Sequence, residues 1–335
     1  MPTIIPFRLA QRGKETVRGT AVVATARWIG DLKLIEADKY FRPQAPYGVL
    51  TDNYSPGFQV AKAAALTFTP PALTFEDVLD LLIMGLKGGV TPTGGGADKT
   101  WTFTHLTTAD PVPTTFTIEG VRSDGSSDFE REVEYVFATE LGFSGAIDEE
   151  LKCRASMVGR QTADSTKTGA LTIPTTWEPA LFNKTRLYID STWAGLGGTE
   201  IIGQMIDFDL SIKTGLTAGP PRGSDGLFSA YRFGPISFDF TATLEFNTTI
   251  NAERAYRTTP TRRFVRLETV GSLVSALNKK IQFNFSGVHW DDSLTGDDGD
   301  REGQDTAKLH IHSVYDPVGA KDIEAVVINS LAAIQ

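Results

Sequence analysis

The chain is short of most features that catalysis, secretion or membrane insertion require. It has a single cysteine, Cys153, so no intrachain disulfide forms, and a reducing compartment is the natural setting. No stretch of about 18 apolar residues occurs, which excludes a spanning helix. The opening MPTIIPFRLAQRGKE has no apolar run long enough for a secretory signal. The expectation is a protein made in a cytoplasm, in which the Asn-x-Ser/Thr triplets at Asn53, Asn183, Asn247 and Asn284 are incidental. Basic residues are outnumbered: 32 Lys and Arg against 41 Asp and Glu leave a net charge of −9. A domain that grips nucleic acid by its phosphates concentrates Lys and Arg, so tight nucleic-acid binding is not expected.

What is present is alternation. In residues 132–143, EVEYVFATELGF, an extended strand places Val133, Tyr135, Phe137, Leu141 and Phe143 on one side. In 236–247, ISFDFTATLEFN, Ile236, Phe238, Phe240, Ala242, Leu244 and Phe246 share one face, with Ser237, Asp239, Thr241, Thr243, Glu245 and Asn247 opposite. Period two over this length predicts strands longer than usual, each with one buried and one wet face. Further strands are expected at 26–37, 59–69, 101–106, 115–121, 186–190, 203–213, 281–286, 308–314 and 323–329. Residues 1–26 read as an arm or first hairpin, and the proline-bearing 42–57 as a long functional or packing loop.

Helices are few. Thr74, with Asp77 three residues on, caps an expected helix at 75–87 whose Val78, Leu79, Leu82 and Leu86 share a face and which Gly88 stops. It is short enough to serve a sheet as a plug or cover. A weak helix is expected near 270–279. Many strands with few helices predict a mainly β fold, a sandwich or half-barrel. The Thr, Ser, Gly and Pro of 162–176 suggest a boundary, giving two tandem β domains, 1–165 and 166–335, each with a short flanking helix. Charge divides evenly between them: 16 basic and 21 acidic residues in the first, 16 and 20 in the second.

Motifs for chemistry fail on inspection. Gly94-Gly95-Gly96-Ala97-Asp98-Lys99-Thr100 resembles a phosphate loop, but Asp98 stands where glycine is required and a helix precedes it. It reads as a mobile hairpin loop. Asp298-x-Asp300-x-Glu302-Gly303 starts like a calcium loop, but Leu309 occupies the position of the bidentate carboxylate. The wider acidic run Asp291, Asp292, Asp297, Asp298, Asp300, Glu302 and Asp305 reads as a solvated or lumen-facing loop. His310 and His312 share a strand face with Lys308 without evident further ligands, and His105 and His289 have no paired spacing. There is no Gly-x-Ser-x-Gly elbow, and Cys153 has no partner motif. Paired carboxylates of a glycosidase kind remain open, with no pair favoured. The arginines Arg254, Arg257, Arg262, Arg263 and Arg266 are expected to pair with carboxylates of the same or a neighbouring subunit. No catalytic, cofactor-binding or metal residue is assigned.

Several segments, in order, resemble the tail tube (major tail) proteins of long-tailed, non-contractile bacteriophages. QRGKETVRGTAV (11–22) is similar to their opening. LTFEDVLDLLIMGLKGGVTPTGGG (73–96), WTFT (101–104) and TTFTIEG (114–120) resemble their helix, glycine loop and following strands. ELGFSGAIDEELKCRASMVGRQ (140–161) resembles a strand-turn-strand, and VYDPVGAKDIEAVVINSLAAI (314–334) a terminal hairpin. The resemblance covers about half the chain. It implies a β-sandwich or half-barrel tube domain, and rings stacked into a hollow virion tail tube that conducts genomic DNA. Its partners would be copies of itself, a tape measure protein and DNA in the bore without tight binding, and other tail proteins at the ends. If both halves are tube domains, three chains form a pseudo-sixfold ring. The competing readings are another virion or adhesion module, such as a distal tail or decoration protein, and a sugar hydrolase on a β scaffold.

Overall fold

The computed structural model describes residues 7–41, 57–105, 108–123, 128–169, 171–172, 177–201, 205–222, 225–295, 300–301 and 304–334. Strands dominate, and the fold is mainly β and antiparallel. In chain order they open with β1 (Phe7–Lys14), β2 (Ala26–Trp28), β3 (Asp31–Glu36), β4 (Lys39–Phe41), β5 (Phe58–Ala61) and β6 (Ala64–Thr69). Helix α1 (Val78–Gly85) follows, then β7 (Lys99–Thr104), β8 (Phe116–Ser123), β9 (Asp128–Ala146), β10 (Lys152–Gly159) and β11 (Thr162–Asp164). Next are β12 (Thr185–Asp190), β13 (Met205–Lys213), β14 (Leu216–Ala218), β15 (Pro221–Arg222), β16 (Leu227–Phe228), β17 (Tyr231–Phe233) and β18 (Ser237–Glu245). After α2 (Thr248–Thr258) come β19 (Arg263–Leu273), β20 (Asn278–His289), β21 (Asp300–Arg301), β22 (Gln304–Ser313) and β23 (Ile323–Asn329).

One sheet carries the order β3–β6–β10–β9–β13–β18–β22. A second runs β12–β19–β20–β23–β7, and the end of β20 crosses to β22 through Gly287, Val288 and His289. A third group, β2–β1–β8, adds to the first half of β9, with β11 on its other side. The layers meet through aromatic rings. Phe143 packs on Phe283 at 4.7 Å, Phe238 on Phe285 at 4.8 Å and Trp28 stacks on Phe68 at 4.4 Å. Offset and tilted contacts of this kind add to the burial of the rings themselves.

The expected boundary at 165/166 does not interrupt the hydrogen bonding. β9 of the first half pairs with β13 over residues 140–146, and β7 pairs with β23 over 99–104. One hydrophobic cluster takes residues from both halves, Phe68 and Trp101 together with Phe240 and Ile311.

β9 is longer than its pattern predicts, and its alternation is broken. Tyr135 adopts φ +57°, and the register against β8 shifts beside it. A β-bulge inserts one residue and turns the succeeding side chains to the other face. Val133, Val136, Ala138, Leu141 and Phe143 therefore face the main core, whereas Tyr135 and Phe137 point away into a small cluster with Leu216 and Phe228. A second shift near Thr139 restores Leu141 and Phe143 to the core side. The expectation that all five odd-numbered residues share one face is corrected accordingly. β18 keeps strict alternation from Phe238 to Leu244, while Phe246 lies beyond the strand and is partly exposed.

Helix α1 is shorter than expected and is buried on every side rather than along one face. The Thr74 hydroxyl accepts from the Asp77 backbone N–H and donates to its carboxylate, both at 3.0 Å, so the predicted cap contact forms one turn ahead of the regular helix. Gly88 does not stop the helix. It lies beyond it, where a Cβ would sit 2.4 Å from the Thr114 nitrogen, and only glycine permits that approach. Buried Arg12 of β1 pairs with Asp80 of α1, lies 3.6 Å from Asp77, and its guanidinium covers the Trp28 ring at 5.3 Å.

The expected helix at 270–279 is the β19–β20 hairpin instead, with Leu273 and Leu277 exposed at its tip. The second helix is α2. Asn247 caps it by accepting from the Ile250 N–H at 3.0 Å, and buried Arg263 clamps Glu253 through two bonds. Asn247→Ala is expected to cost about 1 kcal/mol, read from the urea midpoint.

Candidate functional surfaces

A polar surface lies on the outer face of the seven-stranded sheet, over the end of β9 and over β13, β18 and β22. Register sets it row by row. Ser156, Glu140, Lys213 and Ser237 lie across β10, β9, β13 and β18. The next row runs Arg154, Gly142, Ser211, Asp239 and His312, and the one after it Lys152, Ser144, Asp209, Thr241 and His310. Asp207, Thr243 and Lys308 continue it. On the three central strands, Glu140, Asp207, Asp209, Asp239 and Glu245 face a single cation, Lys213. The remainder of the face on these strands is hydroxyls, glycine and Ala146. On β13 and β18 the apolar side chains point inward, so alternation sorts the two faces there, whereas Phe137 of β9 and Val158 of β10 lie on the outer side.

Cations flank this acidic centre. Arg154 lies 3.5 Å from Glu140, and Lys308 bonds Asp292 at 2.7 Å. Desolvation raises the Asp209 carboxyl, with Arg154 opposing and Glu140 reinforcing. Hydrogen bonds from Lys308 and His310 hold Asp292 below the ordinary range against a smaller desolvation effect. His312 contacts Asp239 at 2.5 Å, His310 contacts Asp292 at 2.6 Å, and Trp290 lies against both rings. The structure thus brings together two histidines and two aspartates that sequence spacing did not connect. Among the described residues, no group of three or more such side chains is placed to hold a metal.

The other motifs resolve into structural roles. Thr93 and Thr100 pair across the glycine loop, and the Lys99 ammonium folds back onto the Gly94 carbonyl at 2.9 Å. Cys153 is buried in the core, where desolvation pushes its thiol up, the opposite of an activated nucleophile. Arg262 pairs with Asp316 at 3.0 Å, Arg263 with Glu253, and Arg266 with the Asn284 side chain at 2.8 Å. Arg257 donates to the Asp291 carbonyl at 2.9 Å. His105 contacts Asp322 at 3.0 Å, and His289 is buried against Ser293. Of the acidic run, Asp297, Asp298 and Glu302 lie outside the described residues, as does most of the loop 42–57.

No protein-family model and no curated protein matches this chain.

A second surface was not legible in the sequence. β4 and β5 form a two-stranded ribbon that pairs with no strand of the main sheet among the described residues, and Tyr40, Phe41, Phe58 and Val60 are all at least half exposed. Such ribbons are marginal by themselves in water, and grouped exposed aromatics mark contact sites. The turn-like composition around them was readable, but the exposure of these aromatics was not. No helix is long and apolar enough to cross a membrane among the described residues.

Proposed function

We propose that the chain is a structural subunit of a phage tail tube, assembling as stacked rings into a hollow conduit in the virion after synthesis in the host cytoplasm. The observation that carries this reading is the seven-stranded sheet, dry on its inner face and polar on its outer face across the end of β9, β13, β18 and β22, with the apolar Phe137, Val158 and Ile35 to one side. Turned towards a bore, that face offers hydroxyls, glycine and a central excess of carboxylates. Carboxylates repel phosphate, so DNA passes without adhering, where a basic lining would retain it. Among the described residues β3 pairs with β6 alone, and its outer edge supports the same reading. Exposed edges are a hazard for a monomer and an asset for a part that joins its neighbours. The aromatic ribbon β4–β5 adds an arm suited to reaching an adjacent copy. The chemistry is that of a scaffold, with self-copies, tape measure protein, DNA and terminal tail proteins as partners.

Electron microscopy of concentrated protein in negative stain, with a light-scattering mass on the same sample, tests the proposal. Hollow tubes of stacked rings are expected, and three chains per ring would accord with two tube-like units per chain. Monodisperse particles at every concentration, also in the presence of tail-tip components, would overturn it.

A further inference from the structure

A groove opens where β3 lies beside β1, β8 and the start of β9. Leu9, Leu32, Leu34 and Val121 line it, and Arg8, Arg122 and Arg131 rim it. Its volume is about 140 Å³, the size at which apolar cavities admit a benzene-sized guest. Two rim arginines are paired locally, Arg8 with Asp31 and Arg131 with Glu36. Arg122 makes no ion pair among the described residues and is exposed.

The complementary shape lies at the other end of β9. The turn into β10 reads Ile147-Asp148-Glu149-Glu150. Ile147 is 39% exposed, and three carboxylates follow it directly. Asp148 takes φ +65° to make the turn, a conformation that aspartate tolerates better than most residues. Glu149 holds Lys152 at 2.6 Å in an exposed pair, which costs little to exchange.

We propose that the arginine-rimmed groove of one copy receives the Ile147 turn of a second copy. An aliphatic side chain enters the apolar floor, and the acids beside it meet Arg122 and its neighbours. Along β9 the two features are separated by up to roughly 50 Å at ~3.3 Å per residue. A knob at one end and a socket at the other make a heterologous contact. Repeated head to tail, it gives a closed ring or an open filament. The proposal rests on the reading of the chain as a self-assembling part and names the contact that joins the copies.

Sedimentation velocity of the full chain over a concentration series tests it, using wild type, R122E and I147D. R122E spoils the groove and keeps the turn, whereas I147D does the reverse. Each alone is expected to associate at least tenfold more weakly than wild type. Mixed in equal amounts, they are expected to form a species of two chains and stop there, since only one intact groove and one intact turn can meet. Added salt should weaken the contact. Should either variant lose the native circular dichroism, R122Q and I147A replace it. Wild type that stays a single chain at every concentration would overturn this contact and the assembly reading together. Wild type that assembles while both variants assemble equally well, or a mixture that yields no two-chain species, would overturn the contact alone.

Discussion

Replacing Asp80 by alanine is expected to destabilise the protein by ~3–5 kcal/mol, because it leaves the Arg12 guanidinium buried without its direct partner. The side chain of Arg12 is 8% exposed and that of Asp80 4%. Arginine does not shed its proton in proteins, so the charge persists, and Asp77 at 3.6 Å offsets only part of the loss. Arg12→Met with Asp80→Leu together should cost far less than either change alone, since both desolvation penalties vanish. A pH dependence accompanies the pair. Burial pushes Asp80 up to about 6 despite Arg12, which acts in the opposite direction. Between the ordinary carboxylate range and about pH 6, the native state therefore holds a proton that the unfolded chain has released. Stability falls as pH rises through that window, by up to ~1.4 kcal/mol per pH unit from this one group. Burial also raises Asp77, in the same sense. Urea denaturation of wild type and Asp80→Asn at pH 4, 5, 6 and 7 measures it. Identical slopes in the two proteins would remove Asp80 from the account.

A fragment ending at Ser165 is expected not to fold. It would lose β13 from the edge of β9, β23 from the edge of β7, and Phe283 from the face of Phe143. The Asn329 side-chain amide also donates to the Phe75 carbonyl at 2.8 Å, closing the entry to α1 from the far end of the chain. Each loss exposes apolar surface worth ~25 cal/mol per Å². Circular dichroism and a proton–nitrogen correlation spectrum should show a non-cooperative, poorly dispersed fragment. A cooperative melt with dispersed resonances would instead establish the halves as independent domains.

The sequence was most readable where a strand is straight and covered on one side. In β13 and β18 every second residue is buried, as alternation requires. β9 misled because a bulge leaves no mark on composition: Tyr135 is as apolar as its neighbours, and only its backbone shows where the faces exchange. Val270, Val274 and Leu277 mimic helical spacing, but they sit in a hairpin stabilised by the pairing of β19 with β20. Helix α2 was missed for the converse reason. It buries only Ile250 and Glu253 and depends on its Asn247 cap and the Glu253–Arg263 clamp more than on an apolar stripe. The polar face could be read residue by residue along each strand. Its extent could not, because β9 beside β13 and β7 beside β23 are pairings between distant parts of the chain.

The same long-range closure governs how the molecule forms. Thr104 on β7 meets Glu324 on β23 across 220 residues, and such contacts return nothing until the intervening chain has been ordered. Folding rates fall as contacts become more remote in sequence. During synthesis the first half emerges with β7 unpaired and one edge of the end of β9 open; the latter waits for β13, and β7 waits until the last strand has left the ribosome. Incomplete chains of this kind expose apolar strand edges and aggregate readily. Production of the subunit is therefore expected to depend on chaperone capacity and slow translation more than on the stability of the finished fold.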